Sequence, residues 1–401
     1  MAKRTLSSLP LSTGTTVLVR VDFNIPIEQG IEVIASYDQR LRATLPTIRY
    51  LLDNQCKVVL CSHLGRPGGK VIEGLRLGPV GDRLATLLNH PVKNLTQCVG
   101  ADVEREVAAA GAGDILLLEN LRFYPGEEAN DASFSQALAR IADFFVMDAF
   151  AVAHRAHAST VGLPLLLPSA MGMLLEREVT ALGQTLDIDD GAKPLAALMG
   201  GAKVSDKILI LENMLDKLDH LFIGGGMSVT FLHALGNPTG ASSVETERMD
   251  FAREVLTRAG KANIQVHLPL DLVVADRFAE DATQVKTVSA DAVPDGWFIM
   301  DVGKTTAQEF SQDLAGCKTI IWNGPMGVFE MPRFSHGTRL VANSIAGLTG
   351  VTTVVGGGST AEAVEELGLM DHMTHVSTGG GASLEFMEGK ELPAIAALPD
   401  Q

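Results

Sequence analysis

Short apolar runs alternate with amphipathic helical segments along almost the whole sequence. Helical patterns occupy, for example, 38–54, 135–144 and 361–369. The apolar runs are rich in β-branched and aliphatic side chains and lie at 15–21, 57–61, 115–118, 144–148, 195–199, 220–223, 319–322 and 351–355. Runs of this length are typical of buried strands. Because strand and helix alternate, the sequence predicts an α/β fold with parallel sheets.

The length of the chain, 401 residues, exceeds what a single hydrophobic core usually supports, so two domains are expected. The stretch 171–186 has helical periodicity with glutamate and arginine on one side, and the polar stretch 187–194 follows it. This pattern is typical of a connector. We therefore predict two doubly wound, Rossmann-like parallel-sheet domains joined by a helix and a hinge.

Charge and composition argue against several classes of partner. The formal net charge of −16 repels nucleic acids and anionic lipids. The longest uncharged stretch, 158–175, is interrupted by Pro164, Pro168 and Gly172, which favours a loop and a helix start over a membrane span. Four cysteines without CxxC spacing indicate reduced thiols, and the N-terminus lacks the apolar run of an export signal. We expect a cytoplasmic monomer with no nucleic-acid or membrane partner.

Charged side chains follow the apolar runs of the first half of the chain. Ligands of open parallel sheets lie beyond the carboxyl ends of the strands, so these positions are candidates for a binding site. The candidates are Asp22, Asn24, His63, Arg66, Arg122 and Arg155, with Arg40 in the following helical segment. Arginine stays charged and forms bidentate hydrogen bonds to phosphate or carboxylate. For any single arginine, a surface or ion-paired role is a better interpretation than ligand binding. Because these arginines share a position after strands, however, the set predicts an anion site.

A pair of histidines, His154 and His157, has H-x-x-H spacing in the same region. Two histidines without a cysteine or carboxylate at ligand spacing rarely bind a metal. Core or capping roles are an alternative for His63 and His154, and the sequence predicts no metal ion held by protein side chains.

Glycine-rich segments follow the apolar runs of the second half, at 200–207, 224–227, 323–330, 356–360 and 377–383. Glycine lets backbone N–H groups approach a phosphate closely, and a helix N-terminus adds its dipole. Turns also use glycine, and neither a GxGxxG nor a GxxxxGK[ST] motif occurs, so each segment alone is weak evidence. Lys203 and Lys207 are four residues apart at an expected helix start, where both could face a phosphate chain. Together these features predict nucleotide-binding loops.

The motifs RVDFNIP, SHLGRP, LENLRF, AHRAH, GGAKVSDK, WNGPMGVFE and STGGGASLE occur in this order along the chain. In order and spacing the sequence closely resembles the phosphoglycerate kinase family over essentially its whole length. The resemblance implies a 3-phosphoglycerate domain at 1–172 to which 386–401 returns, an interdomain helix and linker at 173–190, and a nucleotide-binding domain at 191–385.

The resemblance also implies roles for individual residues. Arg40 resembles the arginine that approaches the transferring phosphoryl group, Glu330 the glutamate that contacts the ribose, and 378–381 part of the closing machinery. The implied catalytic residues are Arg40, Lys203 and Lys207. The implied 3-phosphoglycerate site comprises Asp22, Asn24, Arg40, His63, Arg66, Arg122 and Arg155. The implied nucleotide site comprises Lys203, Lys207, Asn323, Glu330, Gly356, Gly357, Gly358, Ser359 and Thr360.

The chain departs from the family's pattern at three places. Ser359 stands where the family usually has an aspartate close to the metal. Ala151 and Val152 stand where Gly-Thr usually precedes the histidine motif. Near the adenine pocket that the resemblance implies, Ile299 replaces a glycine and Lys304 a proline that are common in relatives.

The reaction that the resemblance implies is reversible phosphoryl transfer between ATP and the carboxylate of 3-phosphoglycerate, which gives 1,3-bisphosphoglycerate and ADP. The acceptor carboxylate is already ionised, so no general base is needed, and catalysis rests on positioning and charge stabilisation. Mg²⁺ bound with ATP or ADP is the expected cofactor, and domain closure is expected to exclude water.

Two other functions are compatible with parts of the pattern. A dinucleotide-dependent dehydrogenase would need a glycine fingerprint after the first strand, and the sequence lacks it. A non-catalytic nucleotide-binding protein that descends from a kinase is favoured only by Ser359. Formation of an acyl phosphate would separate both from a phosphoglycerate kinase.

Overall fold

The computed structural model describes residues 3–25, 34–35, 38–186 and 190–401. The chain divides into two compact units, unit 1 with Met1–Thr180 and Glu391–Gln401, and unit 2 with Ala181–Lys390. Residues 187–189 of the predicted linker lie outside the described residues. In the described part of the chain, no helix has the length and apolar character needed to cross a membrane.

Unit 1 is built on a six-stranded parallel sheet with the order β3-β4-β2-β1-β5-β6. Its strands are β1 (Thr16–Arg20), β2 (Lys57–Cys61), β3 (Val92–Asn94), β4 (Ile115–Leu117), β5 (Phe144–Met147) and β6 (Ser169–Met171). The four central strands were expected from their apolar runs. The two edge strands were not, because β3 has polar residues and β6 lies in the stretch interpreted as a loop.

The helices of unit 1 are α1 (Gln39–Asp53), α2 (Gly78–Leu88), α3 (Ala101–Ala109), α4 (Pro125–Glu128) and α5 (Ala132–Ala139), and α6 (Met173–Leu186) begins in unit 1 and ends in unit 2. α1 buries Leu41, Ile48 and Leu51 against β1 and β2 residues such as Val19 and Val58. These side chains recur at helical spacing, so one face of α1 joins the core.

Unit 2 contains a second six-stranded parallel sheet and a separate three-stranded antiparallel sheet. Its strands are β7 (Leu195–Met199), β8 (His220–Ile223), β9 (Gln265–His267), β10 (Asp271–Ala275), β11 (Val285–Ser289), β12 (Phe298–Val302), β13 (Thr319–Asn323), β14 (Thr352–Gly356) and β15 (His375–Val376). The parallel sheet has the order β15-β14-β13-β7-β8-β9, and the antiparallel sheet has the order β11-β10-β12. The predicted α/β class with two parallel sheets is confirmed, whereas the antiparallel sheet was not predicted.

The helices of unit 2 are α7 (Ile208–Met214), α8 (Gly225–Ala234), α9 (Met249–Lys261), α10 (Lys304–Leu314), α11 (His336–Ala346), α12 (Gly358–Glu366) and α13 (Gly381–Met387). The core of this unit contains Trp322 of β13, Phe222 of β8 and Phe310 of α10. Large buried aromatic side chains contribute strongly to such a core.

The C-terminal segment packs on unit 1 and contains α14 (Pro393–Ala396). The Ala394 N–H donates to the Ala153 carbonyl at 3.0 Å. Near the N-terminus, Lys3 Nζ lies 3.0 Å from Asp400 Oδ1. The last helix of the chain is therefore only one turn long.

Candidate active site

The central strands of unit 1 place the predicted anion-binding residues along one edge of the sheet. β4, β2, β1 and β5 are neighbours and run parallel, so their carboxyl ends lie side by side. Asp22 and Asn24 follow β1, His63 and Arg66 follow β2, Arg122 follows β4, and Arg155 follows β5.

Arg40 lies in the first turn of α1 and its Nη1 donates a hydrogen bond to Asp22 Oδ2. The Asp22 side chain is 7% exposed, whereas that of Arg40 is 38% exposed. The start of α1 is held by the Asp38 carboxylate, which accepts from Arg42 Nε at 2.6 Å and Arg83 Nε at 3.0 Å. Burial opposes ionisation of Asp38, but its hydrogen bonds to these two arginines hold its pKa below the ordinary value. Arg40 is thus presented from a fixed helix start with part of its guanidinium accessible.

Gly65 joins the loops that follow β1 and β4. Its N–H donates to Asn24 Oδ1 at 2.8 Å, and its carbonyl accepts from Arg122 Nη1 at 2.7 Å. Arg122 is buried, and its Nε lies 3.1 Å from Glu128 Oε1. Burial lowers the pKa of Arg122, while the charge of Glu128 opposes that shift.

His63 is buried among cationic groups, and its Nδ1 lies 3.9 Å from Asp22 Oδ1. Burial and the charges of four arginines, Arg20, Arg122, Arg40 and Arg155, hold its pKa well below the ordinary value of 6.5. His63 is therefore neutral at pH 7. Arg155 is half-buried and acts on this group through its charge, and Arg66 is exposed.

A cavity of about 710 Å³ opens in unit 2. Its charged and hydroxyl side chains come from Lys203, Asp206, Lys207, Ser228, Ser242, Ser243, Asp301, Glu330 and Ser359. Its apolar wall includes Val229, Leu272, Phe278, Phe298, Ile299 and Met300. Mostly apolar walls with a few polar groups are typical of small-molecule sites, and this volume suits a nucleotide.

The two lysines of the cavity differ in their surroundings. Lys207 is buried and its Nζ donates to Asn323 Oδ1, and burial lowers its pKa below 10.5. Lys203 is exposed and precedes a 3-10 turn at Ser205–Lys207, with α7 beginning only at Ile208. Both lysines thus lie around a helix start and line the same cavity, as expected, but Lys203 precedes the first helical turn, so the two are not on one face of an α-helix.

Several glycines of unit 2 allow loops to pack on each other. A Cβ atom on Gly324 would lie 2.2 Å from the carbonyl carbon of Gly200, and one on Gly225 would lie 2.7 Å from the Gly201 nitrogen. At Gly358, by contrast, a Cβ atom would meet nothing within 4 Å. The glycines at 200, 225 and 324 are thus required by backbone contact, whereas Gly358 faces open space.

The N-terminus of α12 carries the loop 356–360. Ser359 is exposed and lines the cavity, while Thr360 is buried and its Oγ1 accepts from the Gly324 N–H at 2.7 Å. Asn323 is buried next to Gly357, whose φ of +87° is in the left-handed region that favours glycine. Thr360 and Asn323 therefore support the loop from beneath.

Ile299 and Lys304, the two departures near the implied adenine pocket, differ in their relation to the cavity. Ile299 lines it, and its N–H donates to Ser242 Oγ at 2.8 Å beside an irregularity in the pairing of β10 with β12. Lys304 is exposed at the first position of α10. Glu330 also lines the cavity and is exposed.

Three carboxylates line this cavity, those of Asp206, Asp301 and Glu330, and they are not clustered as metal ligands. Both oxygens of Asp301 accept backbone N–H groups, from Val302 at 2.9 Å and Gly337 at 2.7 Å, and burial raises its pKa to about 7. Across the described ranges, no cluster of three or more His, Cys, Asp or Glu side chains is arranged to hold a metal ion. A metal in this cavity would therefore need its ligands mainly from a bound phosphate chain.

Sequence reasoning missed several charged residues near both sites. In unit 1 these are Arg20 and Glu127, which are fully buried. Arg20 lies inside β1, so it was included in an apolar run, and Glu127 lies in the short helix α4. In unit 2 Glu245 accepts from Ser205 Oγ at 2.5 Å and so holds the loop after Lys203. The signal that could have drawn attention to Arg20 is its place as the first residue of the RVDFNIP motif.

Comparisons with known proteins agree with one another. The family model described as phosphoglycerate kinase matches residues 9–390. The phosphoglycerate kinases of Synechococcus elongatus and Moorella thermoacetica are 52% and 50% identical to this chain, each alignment covering 100% of both chains. The solved structure of phosphoglycerate kinase from Coxiella burnetii is 40% identical, with a TM-score of 0.86 over 98% of each chain.

A family model that spans most of the sequence, together with full-length relatives of about half identical sequence, shows what kind of enzyme this is. The TM-score of 0.86 shows that it shares the fold of the solved relative. The chain belongs to the phosphoglycerate kinase family, the kinases of glycolysis that transfer a phosphoryl group between ATP and 3-phosphoglycerate.

Proposed function

We propose that unit 1 binds 3-phosphoglycerate or 1,3-bisphosphoglycerate and that unit 2 binds ATP or ADP. The observation that carries this division is the unit 2 cavity, which Lys203, Lys207, Glu330 and Ser359 line together. These residues come from three separate parts of the sequence, and their assignment to the nucleotide came from the motifs alone. Their convergence on one cavity of suitable size supports the nucleotide assignment.

On the acceptor side, Asp22, Asn24, Arg40, His63 and Arg122 form a connected polar group in unit 1, with Arg155 close enough to act through its charge. Arg66 and Arg155 complete the proposed 3-phosphoglycerate site. Arginines bind the phosphate and carboxylate of the substrate through paired hydrogen bonds. Because Arg40 keeps part of its side chain exposed, we assign it to the phosphoryl group that moves.

On the nucleotide side, Lys207 and Lys203 supply positive charge for the phosphates. The N-terminus of α12, with Gly356, Gly357, Gly358 and Ser359, supplies backbone N–H groups and the positive end of the helix dipole. Asn323 and Thr360 hold this loop in place. We assign Glu330 to the ribose and the apolar wall around Ile299 to the base.

We propose that Mg²⁺ enters with the nucleotide, where it neutralises phosphate charge. Ser359 offers a neutral hydroxyl oxygen at the cavity, and both carboxylate oxygens of Asp301 are already hydrogen-bonded. The ion is therefore held mainly by the phosphates and water, which suits the few protein ligands that magnesium usually takes.

An enzyme-coupled assay tests the activity directly. Acyl phosphate should form only when ATP, Mg²⁺ and 3-phosphoglycerate are all present. Lack of acyl phosphate formation with purified, folded protein would contradict the proposal and favour a non-catalytic nucleotide-binding protein.

Calorimetry on two single variants tests the division between the units. Arg122→Ala should weaken 3-phosphoglycerate binding while leaving ADP binding within about twofold, and Lys203→Ala should do the reverse. If both variants lost binding of the same ligand, the assignment of one substrate to each unit would be contradicted.

We also propose a cytoplasmic monomer that binds neither nucleic acid nor membranes. The net charge of −16 and the four buried, unpaired cysteines support this expectation. Size-exclusion chromatography with light scattering should give a mass near 42.5 kDa, and a mass twice as large would contradict it.

A further inference from the structure

Arg20 makes contacts with three different partners beneath the anion site of unit 1. It lies in β1 and is 1% exposed. Its Nη1 donates to the Val21 carbonyl, its Nε donates to Ser159 Oγ at 2.8 Å, and its Nη2 lies 3.1 Å from His63 Nδ1. Because each of its three nitrogens has a partner, this buried guanidinium has one orientation. The donor and the acceptor of each hydrogen bond can therefore be assigned.

Glu127 fixes the orientation of the Ser159 hydroxyl. Its carboxylate, which is fully buried, accepts from Ser159 Oγ at 2.5 Å and from the Ser159 N–H at 3.0 Å. Burial raises the pKa of Glu127, and the charge of Arg20 opposes that rise. Because the hydroxyl has a single proton and gives it to Glu127, Ser159 Oγ must accept from Arg20 Nε. The negative charge of Glu127 also compensates the buried charge of Arg20.

The contact between Arg20 and His63 determines where the imidazole proton lies. Arginine has only donors and stays protonated, so His63 Nδ1 must be the acceptor. A neutral ring carries one proton, which is then on Nε2. The charged groups around the ring are consistent with a neutral form, since four arginines, Arg20, Arg40, Arg122 and Arg155, act on it, whereas the Asp22 carboxylate lies 3.9 Å from Nδ1.

We propose that Arg20 is a positioning residue that fixes His63 as the Nε2–H tautomer, so that the ring donates a hydrogen bond to an oxygen of 3-phosphoglycerate. This inference rests on the proposed binding of that substrate to unit 1. All polar atoms of 3-phosphoglycerate are oxygens, and those of its carboxylate and phosphate are acceptors at neutral pH. The other tautomer would turn a nitrogen lone pair towards these oxygens and repel them.

Long-range ¹⁵N–¹H NMR on the wild-type protein tests the tautomer without any mutation. The two ring nitrogens of a neutral histidine have well-separated shifts, and the signals of His63 can be assigned by their absence in His63→Gln. We expect a protonated Nε2 and an unprotonated Nδ1 at pH 7. A protonated Nδ1, or a doubly protonated ring, would overturn the inference whatever the substrate.

Variants of Arg20 then test its role. Arg20→Met removes the donor and should give a mixture of His63 tautomers, with the KM for 3-phosphoglycerate raised about tenfold and that for ATP within about twofold. Ser159→Ala is the matched control, because it removes the link to Glu127 but keeps the Arg20 contact with His63. It should keep the Nε2–H tautomer. If Arg20→Met also keeps that tautomer, Arg20 does not set it and the inference fails.

Two measurements on the wild-type protein separate failure of the inference from failure of the proposed function. If Arg20→Met does not fold, the wild-type NMR result alone decides the tautomer. Calorimetric titration of wild-type protein with 3-phosphoglycerate examines the proposed function separately. If 3-phosphoglycerate does not bind although the tautomer is Nε2–H, the proposed function is wrong. The hydrogen bond from His63 to the substrate is then also wrong, whereas the effect of Arg20 on the tautomer stands.

Discussion

Lys207 Nζ donates a hydrogen bond to the side-chain oxygen Oδ1 of Asn323. This contact orients the amide, so its Nδ2 group is the remaining donor. Nδ2 is buried and has no hydrogen-bond partner within the described residues. A buried donor without a partner costs about 1–3 kcal/mol. The unpaired Nδ2 group of Asn323 therefore favours binding of a ligand with an acceptor oxygen beside residues 356–357, which pack on this amide.

Lys207→Met should lower kcat by about 10²–10³-fold, because it removes a buried charge that we assign to the nucleotide phosphates. Steady-state kinetics with saturating 3-phosphoglycerate measures the change. Lys203→Met is the matched control, since Lys203 lines the same cavity but is exposed, and its effect should be smaller. Equal losses in both variants would contradict a special role for the buried lysine.

Arg40→Ala should lower kcat far more than it weakens binding of 3-phosphoglycerate, because its charge is needed mainly in the transition state. The substrate dissociation constant comes from calorimetry and kcat from the coupled assay. Asp22→Asn is a useful companion, since it keeps the size of the side chain that holds Arg40 but removes its charge. An Arg40→Ala enzyme with unchanged kcat and only a raised KM would make Arg40 a binding residue.

The buried carboxyl group of Asp148 should make unit 1 less stable as the pH rises from about 4 towards 7. Burial raises its pKa to about 7, although it accepts the N–H groups of Leu174 and Leu175 at the start of α6. The folded state therefore binds the proton more tightly than the unfolded state, whose pKa is near 3.8. The resulting stabilisation is complete below pH 3.8 and is lost as the pH approaches 7.

Asp148→Asn isolates this contribution, because the amide oxygen can still accept both N–H groups. Between pH 5 and pH 7 the wild type should lose about 2 kcal/mol of unfolding free energy relative to the variant. Denaturant melts at several pH values measure the difference. The pKa of Asp301 in unit 2 is also raised to about 7. Because Asp301 is present in both proteins, its contribution to the unfolding free energy cancels in the difference. Parallel pH profiles would show that Asp148 ionises normally.

The parallel sheets could be predicted from the sequence because their central strands are buried on both faces. β2 and β7, for example, match their apolar runs residue for residue. Edge strands such as β3 and β9 are short and partly polar, so they carry no such signal. The antiparallel sheet was missed because residues of β11 are largely exposed or half-buried, and its pattern does not resemble a core strand.

The site residues on loops could be predicted because their position after a strand is visible in the sequence. The buried supports beneath them could not. Arg20 and Glu127 face the interior from a strand and a short helix, where sequence patterns lead one to expect apolar side chains. Their charges are tolerated because Ser159 joins them, a contact between residues more than 30 positions apart. Pairing at that distance depends on the folded chain.

Ser359 offers the sharpest test of how the nucleotide site handles its metal. It lines the unit 2 cavity at the start of α12, where the family usually has an aspartate. A hydroxyl group supplies at most a neutral oxygen, whereas a carboxylate supplies charge and attracts Mg²⁺. The wild-type enzyme should therefore be active but bind free Mg²⁺ poorly.

Ser359→Asp should tighten Mg–ADP relative to metal-free ADP by about tenfold, because the added carboxylate attracts the ion and repels bare phosphate. Calorimetric titration with ADP, with and without Mg²⁺, gives the ratio of the two dissociation constants. Ser359→Asn is the matched control, since its side chain has the size of aspartate but no charge, and its ratio should stay near that of the wild type. If Ser359→Asp leaves the ratio unchanged, residue 359 does not face the metal, and the N-terminus of α12 binds the phosphates in a register different from the one proposed.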